Sequence, residues 1–206
     1  DFDRVLMAEG YAVEEMVKDH ILSGPDAGLA DFQRVFEAPG GLYARADLTI
    51  DRGSDGIELW EIKSSTRVTS TRADHIIDAT FQLLVAERSG AHVSKVGVIH
   101  VNGDYVRGDA LDPGAFLVFA DVTGEVRARL AEIAAAADQA VALLAATDIA
   151  RRCENCLLKS KSQRCSAFDL YHPDMPEPSI YDLPRLSKAA RKRFVSEGRL
   201  GLDQIA

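Results

Sequence analysis

Ala46-Asp47-Leu48-Thr49-Ile50, a polar turn, and Leu59-Trp60-Glu61-Ile62-Lys63 decide how this chain is read. Both runs alternate like strands, and side chains on a strand change face at every residue. Arg45, Asp47 and Thr49 then share one face, with Ala46, Leu48 and Ile50 on the other. On the second run Glu61 and Lys63 point together, and Trp60 and Ile62 point into a core. Arg52-Gly53-Ser54-Asp55-Gly56 supplies a turn between them. The hairpin can thus gather two carboxylates and one ammonium at the rim of a sheet. Paired carboxylates suit a hard divalent cation, and a neighbouring lysine can orient or deprotonate a water. An ordinary amphipathic hairpin with a solvated polar face has the same alternation.

The length of 206 residues suits one domain of ordinary size with an appendage. No uninterrupted apolar stretch of about 18 residues exists, so no membrane span is expected. The most apolar helical run, Ile133 to Ala146, is broken by Asp138 and Gln139. Acids follow Asp1 early and no signal peptide is visible, so a cytoplasmic location is expected. The chain opens without Met and inside a helical pattern, as a piece of a longer protein would. The formal net charge of −8 argues against a broad nucleic-acid-binding surface. From Arg151 to Ala206, however, 11 Lys/Arg stand against 7 Asp/Glu, a net of +4, leaving −12 for the rest. The acidic part suits a cation site. The basic part suits phosphates, or is simply a solvated surface.

Around the hairpin, Phe2 to Leu22 reads as a helix and Gln33 to Ala38 as a strand. The two site strands run near Leu42 to Ile50 and Ile57 to Ser64. Ala73 to Ser89 reads as a helix stopped by Gly90, and Lys95 to Val101 as a central strand parallel to the previous one. Asp104 to Arg107 and Phe116 to Asp121 read as further strands, and Thr123 as the cap of a helix reaching Thr147. This order predicts an α/β fold with a mixed central sheet flanked by helices. His75, Asp78 and Gln82 fall three and four residues apart, on one face of the crossover helix. All three cysteines, Cys153, Cys156 and Cys165, lie in one short basic segment, and Cys153-Glu154-Asn155-Cys156 has metal-ligand spacing. A zinc knuckle completed by a residue such as His172, or free thiols, are the alternatives to a cluster. Near the end, Ser187 precedes a basic helix through Val195 that carries Arg191 and Lys192. A glycine turn at Gly198 and a short second helix follow, as in a helix-hairpin-helix unit or a linker.

The ordered set Asp47, Glu61-x-Lys63, Gln82, then Cys153, Cys156 and Cys165 resembles the RecB-like PD-(D/E)xK nucleases with a C-terminal iron–sulfur cluster, of the CRISPR-adaptation and AddB type. The match runs from Gly10 to Cys165. The resemblance implies a restriction-endonuclease-like core over residues 1–150, a cysteine segment at 151–170 and a basic helical tail at 171–206. It implies hydrolysis of DNA by an exonuclease, with Asp47, Glu61, Lys63 and Gln82 catalytic. Mg2+ or Mn2+ would be held by Asp47, Glu61, the main-chain carbonyl of Ile62 and Glu14, which stands where the family usually has a histidine. Gln82, Arg191 and Lys192 would contact DNA. Cys153, Cys156 and Cys165 would bind a 4Fe–4S cluster whose fourth cysteine lies before Asp1. The family's tyrosine four residues after the glutamine is Ala86 here, and a DNA-binding or assembly module without catalysis is the competing expectation.

Overall fold

In a computed structural model, the described residues are 2–69, 75–145 and 154–205. Ala73, Asp74, Thr147 and Cys153, each part of an expectation above, lie outside them. The chain forms two compact units, Asp1–Ala145 and Ala146–Ala206.

The first unit has the order α1 (Phe2–Leu22), β1 (Ala30–Ala38), β2 (Leu42–Asp51), β3 (Ile57–Ile62), α2 (His75–Arg88), β4 (Val93–Val101), α3 (Pro113–Phe116), β5 (Leu117–Asp121) and α4 (Thr123–Ala145). One five-stranded mixed sheet follows chain order, β1-β2-β3-β4-β5. β3 and β4 are parallel, as a helical crossover between them requires. The other three pairs are antiparallel. β3 lies at the centre, and all six of its residues are buried. Two apolar layers cover the sheet. Ala44, Ala46, Leu59, Val96 and Val98 pack with Leu83 and Ala86 of α2 and Val126 of α4. On the opposite face Leu48, Ile50, Trp60, Ile62 and Ile99 pack with Val13, Val17 and Ile21 of α1. These α1 positions recur at helical spacing, which is why that face seals. Leu48, Leu59, Leu83 and Ile99 are among the largest fully buried side chains. Burying each stabilises the fold by about 1.5–3 kcal/mol. Gly97 lies beside Trp60 in the ladder, and a Cβ there would come within 2.1 Å of the indole. The indole therefore lies flat across β4 and meets Phe119 edge-on, 5.5 Å between centroids.

Two local expectations change. Asp104 to Arg107 is not a strand. The Asn102 side chain accepts from the Asp104 amide at 3.0 Å, its carbonyl accepts from the Tyr105 amide, and the chain turns. Such side-chain-to-backbone bonds compete with a sheet ladder. The hydroxyl of Thr123 is tied to β4, accepting from Val96 N at 3.0 Å. The carboxylate of Asp121 accepts from the Thr123 amide at 2.9 Å and from its hydroxyl at 2.6 Å, so that hydroxyl is engaged with the strands rather than with the amides of α4.

The second unit is built on Phe168, Ile180, Tyr181 and Phe194, with Cys156 and Leu157 against them. Its helices are α5 (Glu154–Leu157), α6 (Phe168–Tyr171) and α7 (Lys188–Ser196). Ser187 caps α7 by accepting from Ala190 N at 3.1 Å. After Gly198, at φ 68°, the expected second helix is a single 3-10 turn, Leu202–Gln204. A bridge from Gly201 to Ser179 folds this end back onto its own unit. Among the described residues no helix is long and apolar enough to cross a membrane.

Candidate active site

The pairing of β2 with β3 stops at Leu48 and Trp60, one residue short of Asp47. Asp47 keeps β3 company through its side chain: its Oδ2 accepts the Ile62 amide at 2.8 Å. Opposite Asp47, on β1, Gln33 has φ 59°, a left-handed conformation that is uncommon for a residue with a side chain. Its Nε2 donates to Asp47 Oδ1 at 3.3 Å. The strands turn over here. Ala44 and Ala46 pack under α2, whereas Leu48 and Ile50 pack under α1. The strict alternation expected from Ala46 to Ile50 is therefore broken at Asp47.

Glu61 follows Leu59 on the α2 side of β3 and is 8% exposed. Lys63 Nζ lies 2.6 Å from Glu61 Oε1 and 3.5 Å from Asp78 Oδ2. Gln82, reaching from α2, donates its Nε2 to the other oxygen, Oε2, of Glu61. Glu61 thus has one ligand on each oxygen, and Asp47 likewise, so each carboxylate is held in a fixed orientation with lone pairs to spare. Burial first, and the Glu61 charge second, push the Asp47 carboxyl up to about 6, against the pull of the Ile62 amide. The charges of Glu14 and Lys63 act more weakly, upward and downward respectively. Burial disfavours the Lys63 ammonium, but Glu61, then Asp78 and Asp47, outweigh it and hold Lys63 above the ordinary lysine range. At neutral pH this lysine donates hydrogen bonds and carries charge. It does not take protons.

The oxygens of Asp47 and Glu61 are hard donors that repel each other until a cation sits between their charges. This fits Mg2+ or Mn2+, which use one or two protein carboxylates together with substrate phosphate. Glu14 is half-buried on α1 and its charge reaches Asp47. Among the described residues, however, no group of three His, Cys, Asp or Glu side chains comes together to hold a metal. His20 stands beside Phe119, 6.2 Å between ring centroids. Ala86 is fully buried in the core under α2, so this position faces inward.

In the second unit Arg191 is buried and donates to the carbonyls of Leu158, at 3.0 Å, and Leu186, at 3.3 Å. Its guanidinium holds the unit together, whereas Lys192 is exposed. Cys156 is disulfide-bonded and Cys165 is a free, exposed thiol. A sulfur in a disulfide is no metal ligand, so the two described cysteines do not fit an iron–sulfur cluster in this state.

No sequence signal marks Gln33, whose role depends on a backbone turn that no residue type announces. Asp78 lies on the helix face that its spacing predicts, and only the fold pairs it with Lys63. The fold also leaves a cleft of about 540 Å3 against Glu61, lined among others by Asp78, Phe81, Gln82 and Ala137.

No family model matches this chain, and no curated protein does. A solved structure described as "Crystal structure of SSO0001" is similar at a TM-score of 0.35 and 16% identity, over 77% of this chain and 69% of that one. A likeness at that score carries no functional argument.

Proposed function

We propose that this chain is a divalent-metal-dependent deoxyribonuclease of the RecB-like PD-(D/E)xK kind, built on a restriction-endonuclease-like core and acting at DNA ends in the cytoplasm. The observation that carries the proposal is the fixed pair of carboxylates, Asp47 on the Ile62 amide and Glu61 between Lys63 and Gln82. Asp47, Glu61 and the carbonyl of Ile62 would hold Mg2+ or Mn2+, with Glu14 near enough to add charge. The cation, when bound, polarises the scissile phosphate and neutralises the paired carboxylates. Lys63, kept as an ammonium, orients the attacking water and stabilises charge developing on the phosphoryl oxygens. Gln82 and Gln33 fix the two carboxylates, so little reorganisation accompanies the reaction. Lys192 is the proposed contact to the DNA backbone in the second unit.

A second reading has its own support. Both Glu61 oxygens are engaged by side chains, and a third acid does not join the pair among the described residues. That arrangement also suits a module that binds DNA or a protein assembly without cutting. The test is cleavage of end-labelled single- and double-stranded DNA with Mg2+, with Mn2+ and with chelator. Metal-dependent cleavage is expected, and binding without cleavage under every condition selects the second reading. A 4Fe–4S cluster enters the proposal only for the reduced protein, and no catalytic step is assigned to it.

A further inference from the structure

The second unit carries a buried positive charge without a counter-charge among the described residues. Arg191 is 8% exposed, and its guanidinium meets the neutral carbonyls of Leu158 and Leu186. Its Nε is buried and has no hydrogen-bond partner. The ion pairs described in this unit are Lys161–Asp182, Arg193–Glu197 and Arg199–Glu197, and none includes Arg191. A charge taken out of water is costly unless an opposite charge or strong acceptors meet it. Arg191 lines a cavity of about 330 Å3, and so do Lys161 and Arg185. No carboxylate lines that cavity. Arg185 is exposed, belongs to none of these pairs, and holds a φ of 58°, a left-handed conformation that side chains disfavour. Ser160 and Ser162 add hydroxyls to the lining, 3.2 Å apart. Lys161 shares its charge with Asp182 at 2.7 Å, so Arg185 and Arg191 are the two uncompensated cations. A larger cavity of the same unit, about 850 Å3, also touches Lys161, but Asp169, Glu177 and Asp182 line it and would repel an anion.

Two uncompensated guanidinium groups, two hydroxyls and no acid call for a small anion with two charges and more than two acceptor oxygens. A carboxylate has one charge and two oxygens, and would leave one guanidinium unmatched. A phosphate monoester carries close to two charges at neutral pH and three strong acceptor oxygens, and guanidinium groups match its geometry. We propose that this cavity binds one phosphate monoester group, with Arg185 and the Ser160 and Ser162 hydroxyls as its ligands and the buried charge of Arg191 as its electrostatic support. Leu183 and Leu186 on the lining leave room for the carbon-bearing side of such an ester. The site lies within the second unit and does not depend on the nuclease reading. The group can come from a small phosphomonoester or from the phosphorylated end of a nucleic-acid strand, since both present the same chemistry.

The test is isothermal titration of the full chain with inorganic phosphate, using acetate at matched ionic strength as comparator, on the wild type, Arg185→Ala and Ser162→Ala. Both substituted side chains are exposed, so neither change should unfold the unit, and circular dichroism checks this. Wild type should bind phosphate at millimolar or lower concentration and acetate far more weakly. Arg185→Ala should weaken phosphate binding roughly 10-fold or more, the loss of one charge-assisted bond. Ser162→Ala should weaken it by a smaller factor. A terminally phosphorylated oligonucleotide, set against its terminal-hydroxyl counterpart, then distinguishes the sources. Tighter binding of the phosphorylated strand, lost in Arg185→Ala, assigns the cavity to a strand end. No difference between the strands, with phosphate still bound, assigns it to a small phosphomonoester. Wild type that binds no phosphate, or binds acetate equally well, overturns the proposal. So does phosphate affinity unchanged in Arg185→Ala. An equal loss on both strands in Arg185→Ala overturns it too, because Arg185 would then contact a diester backbone.

Discussion

Replacing Lys63 by Met keeps most of the side chain's length and removes its charge. In the native site that charge sits 2.6 Å from Glu61, itself only 8% exposed. A charge-assisted hydrogen bond in such surroundings contributes about 1.5–3 kcal/mol. The side chain of Lys63 is 26% exposed, so water can replace part of what is lost. A net destabilisation of about 1–2 kcal/mol is expected, equivalent to a fall in melting temperature of roughly 2–8 °C for a unit of this size. Without the ammonium, Asp47 and Glu61 repel more strongly, and added Mg2+ should recover part of the loss. Catalysis should suffer far more. A group that orients the nucleophile and stabilises transition-state charge is worth about 10²–10⁴ in rate, or roughly 2.7–5.5 kcal/mol of barrier. The assay pairs single-turnover cleavage of a labelled oligonucleotide with thermal unfolding followed by circular dichroism. A folded Lys63→Met protein that cuts at the wild-type rate would refute the role assigned to this lysine. A protein that loses activity only in proportion to its unfolded fraction would refute it equally.

On the proposed nuclease reading Asp47→Asn should abolish cleavage, and it should stabilise the metal-free protein at pH 8. The native carboxyl is raised from 3.8 to about 6. Its contribution is therefore most favourable below about pH 4 and is lost as pH rises through 6, at a cost on the order of 3 kcal/mol. Urea unfolding at pH 5 and pH 8 checks this, and an Asn variant less stable than wild type at pH 8 contradicts it. Arg52→Ala should cost about 2–4 kcal/mol, because Arg52 bridges Asp26 at 2.5 Å and the buried Glu58 at 3.0 Å, and Glu58 would keep only Trp60 and the more distant Lys95. Chemical denaturation reads that loss directly, and a change below about 0.5 kcal/mol would show the network to be unimportant. Aerobic protein with Cys156 in a disulfide should contain no iron, and on the iron–sulfur reading anaerobic reduction with iron and sulfide should load a cluster. Metal analysis that finds stoichiometric zinc instead rejects the iron–sulfur assignment.

The strands and helices of the first unit were legible because their apolar residues repeat with the right period. Val13, Val17 and Ile21 mark one helix face, and Leu59 with Ile57 marks the inner side of a strand that also offers Trp60 and Ile62 to the other layer. Glu61 and Lys63 could be placed together because two residues on one strand share a face wherever the strand goes. Asp47 could not be placed by the same rule. Its strand turns over at that residue, and a strand's phase holds only while its backbone stays regular. The basic tail shows the same limit in another form. Composition marks Arg191 and Lys192 as equivalent cations, but helix phase and the carbonyls of Leu158 and Leu186 bury one and leave the other in water.

By itself the sequence determined the main elements of the first unit apart from the segment between β4 and β5, the apolar faces that make a mixed sheet between helices, and the chemistry available at its rim: two acids, a lysine and a glutamine. These follow from local periodicity and residue type, which need no knowledge of distant contacts. The tertiary structure alone decided that Gln33 meets Asp47, that Lys63 is shared with Asp78, and that β2 parts from β3 to open a cleft at Glu61. Each of these joins residues far apart in the chain, or depends on a backbone turn at one position. Such contacts are set by how whole elements pack, and no single stretch of sequence carries them.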